Sequence, residues 1–215
     1  MIWLIYAPYI ALAAVYCVDS WERGRLSRYL KPLLMPALLL AYACSAAHVD
    51  VLIVLGLALG WIGDCALMLP NERYGGKPLL IGLGAFMLGH FMYIAHFVMR
   101  MGGVVSPWLA AILVPELCLG IWLYRVLAPG LGAMKPAVVV YEVVILLMSA
   151  CAFGVLLSSP GVATVSAWVG SVCFIASDAL LAMGIFIGER RHGHCWVMIL
   201  YTVAQLLIAL SAALM

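Results

Sequence analysis

Charge is what this chain of 215 residues has least of. Only 9% of its residues are Asp, Glu, Lys or Arg, against 67% hydrophobic. A water-facing domain of this length needs far more charge to cover its exterior, so a soluble globular protein is excluded and a polytopic membrane protein is expected. No nucleic-acid partner is expected of such a chain. Other features are missing as well. The opening "MIWLIYAPYIALAAVYCV" has no basic segment ahead of it and outruns the apolar part of a cleaved signal, which predicts a retained first helix. The seven cysteines lie mostly in apolar stretches, with no C-x-x-C pair and no zinc-finger spacing, so they read as small packing residues. There is no H-E-x-x-H, no pair of histidines four apart, and no repeat that supports an inverted-repeat transporter. No linker marks off a second unit, so residues 1–215 are expected to form one domain.

What is there is apolar sequence punctuated by Pro, Gly and charge. It divides into eight stretches, at about 2–18, 32–47, 50–69, 79–99, 107–125, 137–157, 164–187 and 195–214. Most approach the roughly 20 residues that cross a bilayer as helix, which predicts an all-α bundle of eight transmembrane helices. The second stretch carries Pro32 and Pro36, a reason to expect a kink or tilt. Basic residues set the expected orientation. Arg23, Arg25, Arg28, Lys31, Arg73, Lys77, Arg125, Lys135, Arg190 and Arg191 fall after the odd-numbered stretches, and only Arg100 falls on the other side. The positive-inside rule then puts these four loops in the cytoplasm and both termini outside it, in the cell's inner membrane. The loop "DSWERGRLSRYLKP" also suits a surface that meets anionic headgroups.

Six candidate residues stand within the apolar stretches: Asp64, His90, His96, Glu116, Glu142 and Asp178. A carboxylate at such depth costs about 2.5–3.5 kcal/mol on insertion scales, so each needs a partner or a purpose. At about 1.5 Å per residue, Asp64 lies roughly 8 Å, Glu142 about 9 Å and Asp178 about 15 Å from the cytoplasmic ends of their helices, with His90 near the midplane. These four are expected to converge on a cavity open to the cytoplasm. Gly56, Gly60 and Gly63 flank Asp64 at spacings that let helices approach closely. His96 lies about 120° round the helix from His90 and reads as structural, while Glu116 stays open between a structural bond and a function. Two aspartates on different helices, held close where the dielectric is low, will not both stay ionised; one becomes an acid and the other a base.

Several motifs in order carry a resemblance. A Lys-Pro opens the second stretch ("YLKPLLMPALLL") and Gly-Asp stands near the end of the third ("GDCALMLP"). His-x-x-Tyr follows on the fourth ("GHFMY") and Ser-Asp on the seventh ("FIASDALLA"). Together they resemble the YhhN-like lysoplasmalogenase family over nearly the whole chain. Residues 100–135 carry no motif, and the eighth stretch matches only through Tyr201 and Gln205. The resemblance implies an integral-membrane hydrolase that cleaves the vinyl ether of lysoplasmalogen, a lysophospholipid, to a fatty aldehyde and a glycerophospho-ethanolamine or -choline. It also implies that the intramembrane aspartates, Asp64 and Asp178 here, are catalytic. Vinyl-ether hydrolysis needs a general acid at the β-carbon and a carboxylate beside the resulting oxocarbenium. The deeper Asp178 is expected as the acid and Asp64, nearer water, as the base. His90, Tyr93 and Glu142 are expected to support them, and Lys31, Tyr201 and Gln205 to bind substrate, Lys31 through the headgroup phosphate. No cofactor is expected. Zinc held by His90, Asp64 and Asp178 is the minority alternative. A proton-coupled transporter or flippase is the alternative outside enzymes, and it predicts broken helices, with Gly82, Gly84 and Pro115 as the candidate breaks.

Overall fold

A computed structural model describes residues 2–102 and 109–215. They form eight α-helices and, among the described residues, no strand. The helices are α1 (Ile2–Trp21), α2 (Ser27–Ser45), α3 (Val51–Leu67), α4 (Lys77–Arg100), α5 (Leu109–Leu127), α6 (Lys135–Ser158), α7 (Val162–Phe186) and α8 (Gly193–Leu214). Each matches one expected stretch; the start of the fifth, at 107, lies outside the described residues. Five helices, α1, α4, α6, α7 and α8, are long and apolar enough to cross a membrane, and α3 is a shorter apolar helix. Leu4, Met99 and Val162 are 76%, 77% and 79% exposed. Apolar side chains that bare suit a lipid surface and no aqueous one, so the chain is a multi-pass membrane protein.

Local sequence sets the ends. Pro78 and Pro136 occupy the first turns of α4 and α6, where a missing N–H costs nothing. The Asp50 side chain accepts the Leu52 N–H at 2.8 Å and caps α3. Prolines inside helices do not break them. In α2, Pro36 cannot donate to the Pro32 carbonyl, and the Trp61 indole of α3 donates to that oxygen at 2.9 Å instead. The expected weak point becomes a cross-helix bond. α4 runs on through Gly82 and Gly84, and α5 through Pro115, so the interruptions a transporter reading predicts are not found there.

α3 packs closely on α4, and α7 on α8. A Cβ on Gly89 would stand 3.2 Å from the Gly56 carbonyl, and one on Gly170 3.1 Å from that of Ala204. Glycine at these contacts is what brings the backbones together. α1 buries a single stripe, Tyr6, Tyr9, Ala13 and Tyr16. Each tyrosine hydroxyl finds a partner: Ser45 at 2.9 Å, the Thr202 carbonyl at 2.8 Å and His194 at 2.9 Å. Left unpaired in the interior, each would cost about 1–3 kcal/mol. At the end away from the basic loops, the His96 ring meets Asp50 at 2.7 Å and ties α4 to the start of α3. Burial pushes the Asp50 carboxyl up, but the bonds from His96 and the Leu52 N–H outweigh it and, with Arg100 near by, hold it below the usual carboxylate range.

Candidate active site

Asp64 sits three residues before the end of α3 and is 2% exposed. Lys31, in the second turn of α2 and itself buried, places Nζ 3.5 Å from Asp64 Oδ1. The Tyr201 hydroxyl of α8 lies beside the carboxylate, and among the described residues Oδ2 has no hydrogen-bond partner. Behind Tyr201 a relay runs across three helices. Gln205 Nε2 donates to the Tyr201 hydroxyl at 3.4 Å, and the Tyr93 hydroxyl of α4 donates to Gln205 Oε1 at 2.7 Å. Tyr93, expected to support the aspartates, reaches Asp64 through Gln205 and Tyr201.

The glycines of α3 make this possible. A Cβ on Gly60 would stand 3.0 Å from Gln205 Nε2 and 3.2 Å from the Tyr201 hydroxyl. One on Gly56 would collide with the Tyr93 ring, and one on Gly63 with Phe86. The stripe expected to serve helix contact therefore also leaves room for four side chains of the site.

Asp178, in the third turn before the end of α7, faces a different space. It lines a narrow apolar slot of about 80 Å³ between α4, α5, α6 and α7, whose walls include Leu83, Phe86, Leu123, Val138, Ile145 and Ala182. The polar groups on that slot are Asp178, Glu142 and Tyr141. Tyr141 donates its hydroxyl to Asp178 Oδ2. Glu142 projects toward Gly120 of α5 and keeps Oε1 unpartnered. Sequence reasoning missed Tyr141. Its signal was slight, a tyrosine next to an intramembrane glutamate, and only the packing of α6 on α7 shows whom it meets.

An aromatic wall stands between the two carboxylates. His90, 1% exposed, meets Phe174 at 4.7 Å and Tyr141 at 5.4 Å between ring centroids. Phe174 and Phe86 each meet Tyr201 edge-on, at 5.5 and 5.9 Å. Among the described residues neither His90 nitrogen has a hydrogen-bond partner. The aspartates are within electrostatic range of one another across this wall. The site thus has two chambers, with Asp64 on the cationic side and Asp178 on the apolar side. His96 is committed to Asp50 and stays out of it. Glu116 is 6% exposed, with Ser149 beside its carboxylate. Among the described residues no three His, Cys, Asp or Glu side chains are gathered as metal donors. His90 stands in the wall itself, with Asp64 and Asp178 to either side of it.

Comparison with known proteins finds a matching family and a named relative. The model of the YhhN family matches residues 26–212. A bovine (Bos taurus) protein named lysoplasmalogenase TMEM86A is 33% identical over 165 residues, covering 74% of this chain and 64% of the relative. The match therefore spans a little under two thirds of the relative's length. No solved structure matches.

Proposed function

The chain belongs to the YhhN family, and from that premise we propose that it hydrolyses the vinyl ether of a lysoplasmalogen with Asp178 as general acid and Asp64 as general base. The observation that carries this reading is the division of labour between the two carboxylates. Asp64 lies against a cation, Lys31, which favours a carboxylate. Asp178 lies on an apolar slot that suits an alkenyl chain, with Tyr141 on one oxygen. The bovine relative's name, lysoplasmalogenase, points the same way.

The chemistry closes on these residues. Asp178 gives its proton to the β-carbon of the enol ether, and the electron pair of the carbon–carbon bond forms the new C–H bond. The oxocarbenium left behind is stabilised by the carboxylates, and water adds to it while Asp64 takes the water's proton. The hemiacetal then collapses. Its hydroxyl proton returns to Asp178, Asp64 protonates the departing glycerol oxygen, and the products are a fatty aldehyde and the glycerophospho-base. Both aspartates end as they began. Tyr141 steadies the Asp178 carboxylate formed midway, and the Tyr93–Gln205–Tyr201 relay orients Asp64. His90, with two free nitrogens at the wall between the chambers, orients the water, and Glu142 adds a second carboxyl to the slot. The basic loops lie in the cytoplasm on this reading, so water and headgroup enter from that side.

The test is aldehyde release by the purified protein. An alkenyl lysophosphoethanolamine is expected to release aldehyde that, in heavy water, carries one solvent deuteron on the carbon next to the carbonyl. The saturated alkyl-ether analogue is expected to release none. Equal cleavage of both ethers, or aldehyde without the deuteron, would overturn protonation of the enol ether as the first step.

A further inference from the structure

At the basic-loop end a polar vestibule of about 580 Å³ opens between the first loop, the start of α2 and the end of α3. Arg25, Arg28 and Lys31 line it. The two arginines are exposed, and Lys31 forms its buried end, where it meets Asp64. Of the two nearby acids, Asp19 near the end of α1 accepts the Ser27 N–H at 2.6 Å, and Glu22 of the loop is exposed and outside the vestibule's lining. No carboxylate is part of the vestibule's own lining. Even with Lys31 set against Asp64, two guanidinium groups remain for an anion, and guanidinium suits a phosphate by its bidentate geometry.

One residue belongs to both chambers. Leu67, the last of α3, lines the vestibule and the apolar slot. Its side chain lies over Gly82 of α4, where a Cβ would stand 2.8 Å from Leu67 Cδ2. Asp64 is one turn back along the same helix. A polar chamber with spare positive charge and an apolar slot therefore meet at a single leucine, with one aspartate on each side.

We propose that the vestibule is the site for the phosphodiester headgroup of a single-chain lipid, and that the lipid passes Leu67 so that its chain lies in the slot. This rests on the hydrolase reading and adds to it how the substrate is selected. The slot is narrow and its walls are almost wholly apolar, so it offers a place to a chain and none to the charged headgroup. The products also part company. The glycerophospho-base leaves through the vestibule toward water, and the aldehyde stays on the lipid side.

The test compares the full-length protein with the double variant Arg25→Gln/Arg28→Gln, whose changes lie at exposed positions. Two substrates are used, an alkenyl lysophosphoethanolamine and a 1-alkenylglycerol that lacks the phosphate. The ratio of kcat/KM for the first to that for the second is expected to fall about tenfold in the variant, carried by KM, as lost charge-assisted bonds to one phosphate would give. Binding is read separately from turnover. Glycerophosphoethanolamine is expected to raise the melting temperature of the wild-type protein more than that of the variant, and more than inorganic phosphate does at equal concentration. An unchanged ratio overturns the proposal. A shift as large with inorganic phosphate also overturns it, because the vestibule would then be a general anion patch. A headgroup-dependent shift without aldehyde from either substrate would support the headgroup site while counting against the hydrolase reading.

Discussion

Replacing Tyr141 by Phe removes one oxygen and leaves the ring that packs against His90 in place. In the wild-type protein that hydroxyl is the hydrogen-bond donor to Asp178. If Asp178 is the acid, negative charge appears on it as the proton moves to carbon, so the bond from Tyr141 is stronger in the transition state than before it. A hydrogen bond to a charged group contributes about 1.5–3 kcal/mol, which corresponds to a loss of about 10- to 150-fold in rate. The loss should fall on kcat, with KM nearly unchanged, because the hydroxyl meets the catalytic carboxyl and the chain still has its slot. The assay is initial-rate aldehyde release over a range of substrate, with melting temperatures to show that the variant is folded. A Tyr141→Phe protein with wild-type kcat would refute the assignment of Asp178 as the group that changes charge.

Other outcomes are expected from the same geometry. Lys31→Met strips Asp64 of its cation, and breaking a buried pair this way costs about 3–5 kcal/mol; poor yield and lost turnover are expected, with Lys31→Arg recovering part of both. Gly56→Ala drives a methyl group into the Tyr93 ring and should lower stability by about 1–3 kcal/mol, read as a drop in melting temperature. Gly84→Ala, with nothing within 4 Å of the added carbon, should cost nothing. His96→Ala unties α4 from the start of α3, and its effect should appear in melting temperature and not in kcat. The Asp50 carboxyl is held below its ordinary value in the fold, so its contribution is complete above the ordinary aspartate range, about pH 4, and is lost as pH falls through the lowered value. The His96→Ala variant should therefore show less loss of melting temperature on acidification than the wild-type protein.

Eight helices were legible because each apolar stretch is bounded by Pro, Gly or charge, and membrane burial makes hydrophobicity alone nearly sufficient. Their ends shifted by a few residues: α1 carries on past Val18 to Trp21, and α2 begins at Ser27, ahead of Pro32. Depth along a helix was also legible, since residue count gives it directly, and it put the two aspartates toward the basic end. What stays hidden in a sequence is which helix faces which. Tyr141 could be recognised only once α6 lay against α7. The aromatic wall between Asp64 and Asp178 joins residues of α4, α7 and α8, and no local spacing encodes it. The expected single cavity became two chambers for that reason. Tyr201 and Gln205 are expected from the sequence to bind substrate; the fold also links them to Tyr93 by hydrogen bonds, with Tyr201 beside Asp64.

The central claim is that two aspartates on either side of that wall act together. It is tested most directly by aldehyde release from an alkenyl lysophosphoethanolamine by Asp64→Asn and Asp178→Asn, each purified and shown to melt near the wild-type temperature. The account predicts that both single variants are reduced at least a thousandfold and that the double variant is no worse than either, as for groups that act as a unit. Substantial turnover by either folded single variant would contradict it.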